Sequence, residues 1–373
     1  MKTIRMPTIV VLVLGLAVEI VNADFTFGEP VNLGPPISTS YNDAGLYIAP
    51  DGLEMYFCHY NMPGGYGGWD IWVCTRKTVN DDWGDPVNLG PPVNTGQSDV
   101  GAQLLSDGLE MYFGSYNRSG GYGDFDIWVT RRVTKDDPWG QPTNLGSTIN
   151  SSFKDGNPAI SPDELELYFP STRPGGYGSD DIWVSRRTTT NDPWGEPENL
   201  GSVVNSSASE GVVSLSSDGL ILFFSEDLNH TIRPGGVGNM DIWMTRRTSI
   251  SEPWSTPVNL GQIINSPSRD GIPITSQDGS TLYFSSTRPG GFGGNNFGDV
   301  YQASIIPIVD FDDDGIVDIN DLVIMIENWN TDYSLCDIGP MPWGDGIVDI
   351  KDLTVFMKYW EQENMPQESQ DVE

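Results

Sequence analysis

The chain has 373 residues, 52 acidic and 19 basic, and a formal net charge of −33. A chain this acidic repels nucleic acid and anionic membranes, which argues against a nucleic-acid partner, and it suits calcium and a saline exterior. The length allows one large domain and one small one.

Lys2 and Arg5 open a positively charged start, and an apolar run follows from Ile9 to Val18. Val21-Asn22-Ala23 then has the small-residue pattern of a cleavage site, so residues 1–23 read as an export signal. The run is too short for a retained anchor, and no later stretch is apolar enough to span a bilayer. The mature protein is therefore expected to be secreted or periplasmic. Export permits disulfides, but Cys58, Cys74 and Cys336 are too few for a framework. The repeat register puts Cys58 and Cys74 on adjacent strands, bonded or as two thiols, with Cys336 free.

From residue 24 onward the chain repeats itself. Asp-Ile-Trp recurs at Asp70, Asp126, Asp181 and Asp241, and as Asp299-Val300-Tyr301, at spacings of 56, 55, 60 and 58 residues. Each unit opens on an acid (Asp43, Asp99, Asp155, Glu210, Asp270) followed by a short apolar strand. A turn such as Pro50-Asp51-Gly52 comes next, with Glu164 in the glycine's place in the third unit. An aromatic-rich strand, a glycine-rich loop, the Asp-Ile-Trp strand and a Trp-Gly-x-Pro-x-Asn-Leu-Gly segment complete it. Four short strands per unit, repeated five times, predict an all-β fold, a five-bladed propeller. The fifth unit lacks its last segment, and Phe27–Gly34 at the other end of the repeat region matches it. The N-terminal strand is therefore expected to close the ring.

At these turns, glycine-rich loops and Asp-Ile strands the repeats resemble the WD-like repeats of TolB-type propellers, whose core reads Ser-Pro-Asp-Gly, Arg-Pro-Gly-Gly and Asp-Ile, over residues 24 to about 304 of a propeller domain expected at 24–306. That family spans scaffolds, binding proteins and peptidase-associated propellers, so the resemblance implies a fold and leaves the function open.

Residues 310–321 read Asp-Phe-Asp-Asp-Asp-Gly-Ile-Val-Asp-Ile-Asn-Asp. Asp310, Asp312, Asp314, Asp318 and Asp321 take the oxygen-bearing positions of an EF-hand loop, Ile316 offers its carbonyl, and Gly315 makes the bend. A helix bearing Leu322, Ile326 and Trp329 on one face follows. A second loop carries Asp345, Ile347, Asp349 and Asp352, and its helix carries Leu353, Phe356 and Trp360. Its first and third positions fall on Met341 and Trp343, which offer no oxygen; either Asp337 substitutes through a longer loop or the second site is weak or empty. Two loop–helix units, each ending in Asp, resemble a dockerin over residues 307–361. The resemblance implies a small α-helical calcium-binding domain and a cohesin-like or cell-surface partner. Ile319-Asn320 and Ile350-Lys351 depart from the small hydroxyl residues that many dockerins present to a cohesin. The acidic tail, residues 362–373, reads as disordered.

The five opening acids are expected around the channel mouth, with Arg118, Arg173, Arg233 and Arg288 near them. A residue repeated in every blade is more economically structural than catalytic, and the same holds for Trp72 and Trp128 between blades. Departures from the repeat mark the candidate ligand site. Met62 replaces the arginine in blade one, beside His59 and Tyr60, and blade four has a longer loop, Glu226–His230. Asp43, His59, Tyr60, Asp99, Asp155, Glu210, His230 and Asp270 are the candidate ligand-binding residues. Tyr66, Tyr122, Tyr177 and Phe292 either stack on sugar rings or hold their loops down. Two functions follow: a secreted binding or scaffold propeller for carbohydrate or a cell-surface partner, or a glycoside hydrolase or lyase using paired carboxylates.

Overall fold

The computed structural model describes residues 25–226, 233–293, 298–312, 316–331, 333, 335–339, 344 and 347–364. Five antiparallel sheets follow one another along the chain. Blade one comprises Asn42–Ile48, Glu54–Tyr60, Trp69–Thr75 and Val87–Asn88. Blade two comprises Asp99–Leu104, Glu110–Tyr116, Phe125–Arg131 and Thr143–Asn144. Blade three comprises Ala159–Ile160, Glu166–Ser171, Asp181–Arg186 and Glu198–Asn199. Blade four comprises Glu210–Leu215, Ile221–Glu226, Ile242–Arg246 and Val258–Asn259. Blade five comprises Asp270–Thr275, Thr281–Ser286 and Asp299–Pro307, and its outer strand is Val31–Asn32 from the N-terminus.

The ring closes as the displaced repeat segment requires. Asn32 pairs with Tyr301 in the register in which Asn88 pairs with Trp72 and Asn144 with Trp128. The Asn32 amide donates to Asp299 at 2.8 Å, as Asn199 donates to Asp181 at 2.9 Å within blade three. The N-terminal segment also does more than the repeat required. Phe25–Phe27 pairs with Ile305–Pro307, and Phe25 and Phe27 enter a core cluster with Phe284 and Ile305.

The second strand of each blade has a layer on both sides of it, which is why its residues are buried almost without a break. Tryptophans of the third strands fill the gaps between blades: Trp128 packs with Tyr47 and Tyr56 of blade one, and Trp243 with Tyr168 of blade three. Arg132 reaches Glu54 at 2.6 Å and Arg247 reaches Glu166 at 2.7 Å, tying blade two to one and four to three. Glu164 adopts φ 61°, the conformation glycine takes in the other turns, and its carboxylate accepts from Ser106 Oγ at 2.7 Å.

The cysteines are free and buried. Cys58 lies opposite Ile71, and Cys74 opposite Met55. This three-residue offset separates them by about 10 Å along the strands, beyond the reach of a disulfide. Asn150, which begins an Asn-Ser-Ser sequence, is also buried, donating to the Ile127 carbonyl and accepting from the Ile127 amide.

Helices Ile319–Glu327 and Ile350–Asn364 form a separate small core around Phe311, Met325, Val348 and Phe356. The second helix runs through Asn364, past the boundary expected at residue 361. Among the described residues no helix is long and apolar enough to cross a membrane. Residues 1–23 and 365–373, read as export signal and most of the tail, lie outside the described residues.

Candidate functional site

The five opening acids do not stand open around the channel; each is fully buried. Asp155 shows the arrangement. It accepts from Ser151 N and Oγ, both at 2.6 Å, from Ser171 Oγ at 2.5 Å, and from Arg173 Nη2 at 2.6 Å. Asp270 repeats this with Ser266, Ser286 and Arg288, and Asp99 with Thr95, Ser115 and Arg118. Glu210 accepts from Ser206 Oγ at 2.6 Å and Arg233 at 3.0 Å. The arginines also donate to backbone carbonyls on the way into each inner strand, such as Ile149 and Ile264. A carboxylate buried and bound in this way pins a strand entry, although Glu210 uses only Oε1 and its Oε2 is buried without a hydrogen-bond partner. Burial pushes the Asp99 and Glu210 carboxyls above their usual range.

Blade one solves the same problem differently. With Met62 in place of arginine, His59 Nδ1 contacts Asp43 directly, and Thr39 supplies the other donors. His59 is buried between the rings of Phe57 and Trp72. Asp43 therefore has a partner in place of the missing arginine, and neither residue lines the cavity. His230 lies outside the described residues.

The residue sixteen positions after each acid is Ser115, Ser171 and Ser286 in blades two, three and five, His59 in blade one and Glu226 in blade four. Of the two departures, Glu226 lines the channel. It is buried, accepts from Asp241 N at 2.6 Å and Trp243 Nε1 at 3.0 Å, and is held above the usual glutamate range by burial. Sequence reasoning missed it as a channel residue, although the repeat column that isolates His59 isolates it too.

The inner strands enclose a cavity of about 250 Å³. The residue immediately before each Asp-Ile-Trp aspartate differs from blade to blade, being Trp69, Phe125, Asp180, Met240 and Gly298, and those of blades one, two and four stand at the cavity's mouth. The aspartates repeat because they gather loop amides: Asp126, for example, accepts from Tyr122 N and Gly123 N at 2.6 and 3.0 Å. The residues before them do not repeat. Trp69 and Phe125 are partly exposed and line the cavity, as does Met240. Phe125 lies over Gly156 and Met240 over Gly271, where a Cβ would approach the neighbouring side chain to 2.2 and 2.1 Å. Tyr60 stands beside Trp69 with ring centroids 5.3 Å apart, and Tyr116 lies opposite Phe125 across the strand pair; both tyrosines are exposed. Blade three puts an ion pair there, Lys154 to Asp180 at 2.9 Å. One half of the mouth is thus aromatic, and charge enters from the blade-three side. Tyr66, Tyr122, Tyr177 and Phe292 are about half exposed farther out, and the rings of Tyr66 and Phe292 lie close to Gly90 and Gly34.

At the other end of the chain, carboxylate oxygens of Asp310, Asp312 and Asp321 lie within 4.8 Å of one another and could hold a metal ion. Asp321 also accepts from Phe311 N and Asp318 N, and Asp318 caps the helix through Asn320 N. Ile316 lies in the loop with an exposed side chain, and Asp314 and Gly315 lie outside the described residues. In the second loop Asp352 accepts from Ile338 N and Gly339 N, as Asp321 does from Phe311 N and Asp312 N. Asp337 thereby occupies the place of Asp310, and Gly339 that of Asp312. The first position falls on Asp337 rather than Met341, in a loop four residues longer, and the third offers no side-chain oxygen. Asp349 faces Asp352 through its amide, Ile347 is exposed, and Asp345 lies outside the described residues.

No protein-family model and no curated protein matches this sequence. Among solved structures the chain is similar to TolB from Acinetobacter baumannii, at 13% identity over 71% of this chain, with a TM-score of 0.42; it spans 54% of that protein's length. It is similar to a putative TolB from Agrobacterium tumefaciens, at 15% identity over 76% of this chain and 99% of that one, with a TM-score of 0.43. It is also similar to the α-L-arabinofuranosidase PaAbf62A from Podospora anserina, solved with cellotriose, at 12% identity over 75% of this chain and 96% of that one, with a TM-score of 0.45. At these identities the likeness is one of fold.

Proposed function

We propose that the protein is a secreted carbohydrate-binding propeller, whose dockerin-like C-terminal module, stabilised by calcium, attaches it to a cohesin-like or cell-surface partner. The observation that carries the first part is the broken symmetry of the mouth. The framework repeats in all five blades, while Trp69, Phe125, Asp180, Met240 and Gly298 all differ. Packing alone would favour repetition; a ligand that meets each blade differently would not. Partly exposed aromatic rings beside a charged pair suit a sugar, whose apolar face stacks while its hydroxyls find polar partners. The buried state of the ring acids favours binding over hydrolysis, since each already has its partners. Asp310, Asp312 and Asp321 support the calcium assignment, because hard oxygens converging at a helix entrance are what that ion takes.

The test is a polysaccharide panel scored for both retention and release of reducing ends. Trp69→Ala and Phe125→Ala should each weaken retention about tenfold, the scale of one lost aromatic contact. Retention unaffected by either substitution would overturn the binding site. Reducing-end release abolished by Glu226→Gln would establish a hydrolase instead.

A further inference from the structure

Beneath the aromatic mouth the channel changes character. Its walls are largely apolar: Leu46, Val100, Ala102, Val213 and Ile274 line it from every blade except the third, which contributes Asn157 and Pro158, while Gln103 and Ser214 add polar groups. Cys58 also lines it, and burial pushes its thiol up to about 12, so it stays neutral and behaves as a small apolar group. The carboxylate in the wall, Glu226, has its oxygens engaged by Asp241 N, Arg233 N and Trp243 Nε1.

A second observation is independent of the lining. The inner strands bulge two residues after the opening acid, and the chain there turns left-handed at Gly45 (φ 65°), Gly101 (φ 69°) and Asn157 (φ 46°). Blade five puts Ile272 at this point with φ 56°. A β-branched residue in that region is strained by roughly 1–3 kcal/mol, whereas glycine, used twice at the same place, is not. The strained isoleucine lines the cavity. Strain retained to place a hydrocarbon side chain in a channel wall indicates that the wall has an apolar occupant.

We propose that the channel is a binding site for an uncharged hydrocarbon group about the size of one aromatic ring, carried as an aryl substituent by the sugar bound at the mouth. A cavity of about 250 Å³ is sufficient; an apolar cavity of about 150 Å³ in another protein binds benzene. The sugar part of this inference rests on the carbohydrate reading above; the channel part does not.

The experiment separates the two. Binding of benzene to the full chain is measured by ligand-observed NMR, beside matched phenyl and methyl glycosides. Benzene should bind, Ala102→Phe should abolish its binding by filling the channel, and the phenyl glycoside should bind at least tenfold more tightly than the methyl one. Ile272→Gly keeps the measurement interpretable if the larger substitution misfolds: it relieves strain, so the fold should be retained, and benzene affinity should fall about threefold with the lost contact area. No benzene binding, or binding indifferent to Ile272→Gly, overturns the proposal. Equal affinity for the two glycosides without benzene binding defeats the channel site and leaves the carbohydrate site standing. Benzene binding with neither glycoside bound upholds the channel site and defeats the carbohydrate reading.

Discussion

Asn32 and Asp299 are joined by a 2.8 Å hydrogen bond across 267 positions of chain, and that bond occupies the place filled within a single blade by Asn88 and Asp70, Asn144 and Asp126, or Asn199 and Asp181. The same Asn32 accepts from Gly34 N at 2.8 Å, as Asn88 accepts from Gly90 N. The ring is therefore closed by hydrogen bonds of the ordinary intrablade kind. Asn32→Leu should leave Asp299 without this donor and cost about 1–3 kcal/mol. Asn199→Leu should cost a similar amount, but only Asn32→Leu should raise amide exchange in both Val31–Asn32 and Asp299–Pro307. Thermal unfolding and hydrogen exchange on the two variants check this.

Blade one shows that a histidine and a methionine can replace the serine and arginine around a buried acid. Arg173→Met alone should leave Asp155 without its cation and cost about 3–5 kcal/mol. Adding Ser171→His should recover part of that loss, because it installs the His59-to-Asp43 arrangement of blade one. Denaturant unfolding of the two single variants and the double variant gives the coupling. Additive losses would show that the two blades are not interchangeable.

Glu226 makes stability depend on pH in an unusual direction. Burial raises its carboxyl above the ordinary value of 4.5, so the folded chain holds this proton more tightly than the unfolded chain. Its contribution is therefore most favourable below the unfolded value and is lost as pH rises through the higher folded value. Glu226→Ser, the residue of blades two, three and five, removes this. Melting temperatures of wild type minus variant should grow more positive from pH 7 towards pH 4. A flat difference would refute the assignment.

Calcium should act on the C-terminal helices and not on the blades. The Phe311–Phe356 core is small, and the three clustered carboxylates repel one another without a cation. Calorimetry with calcium should show two transitions, and chelation should lower only the smaller. Asp312→Ala, which removes an exposed member of the cluster, should make that transition insensitive to calcium.

The number of blades, their strand order and the closing strand were legible in the sequence, because each depends on local periodicity and on a segment displaced from one end of the repeat to the other. So was the convergence of Asp310, Asp312 and Asp321, since closely spaced oxygen donors are read along the chain. The separation of Cys58 from Cys74 was decided by a three-residue difference in strand register, which periodicity alone does not specify. The fate of the opening acids was likewise tertiary: Asp43 and His59 are sixteen positions apart, and only the pairing of their strands brings the two together. The candidate site itself, Trp69 and Phe125 over an apolar channel with Glu226 in its wall, is made by blades far apart in sequence. Such a surface exists only once the ring is closed, because each blade supplies one side of it and none encloses a cavity alone.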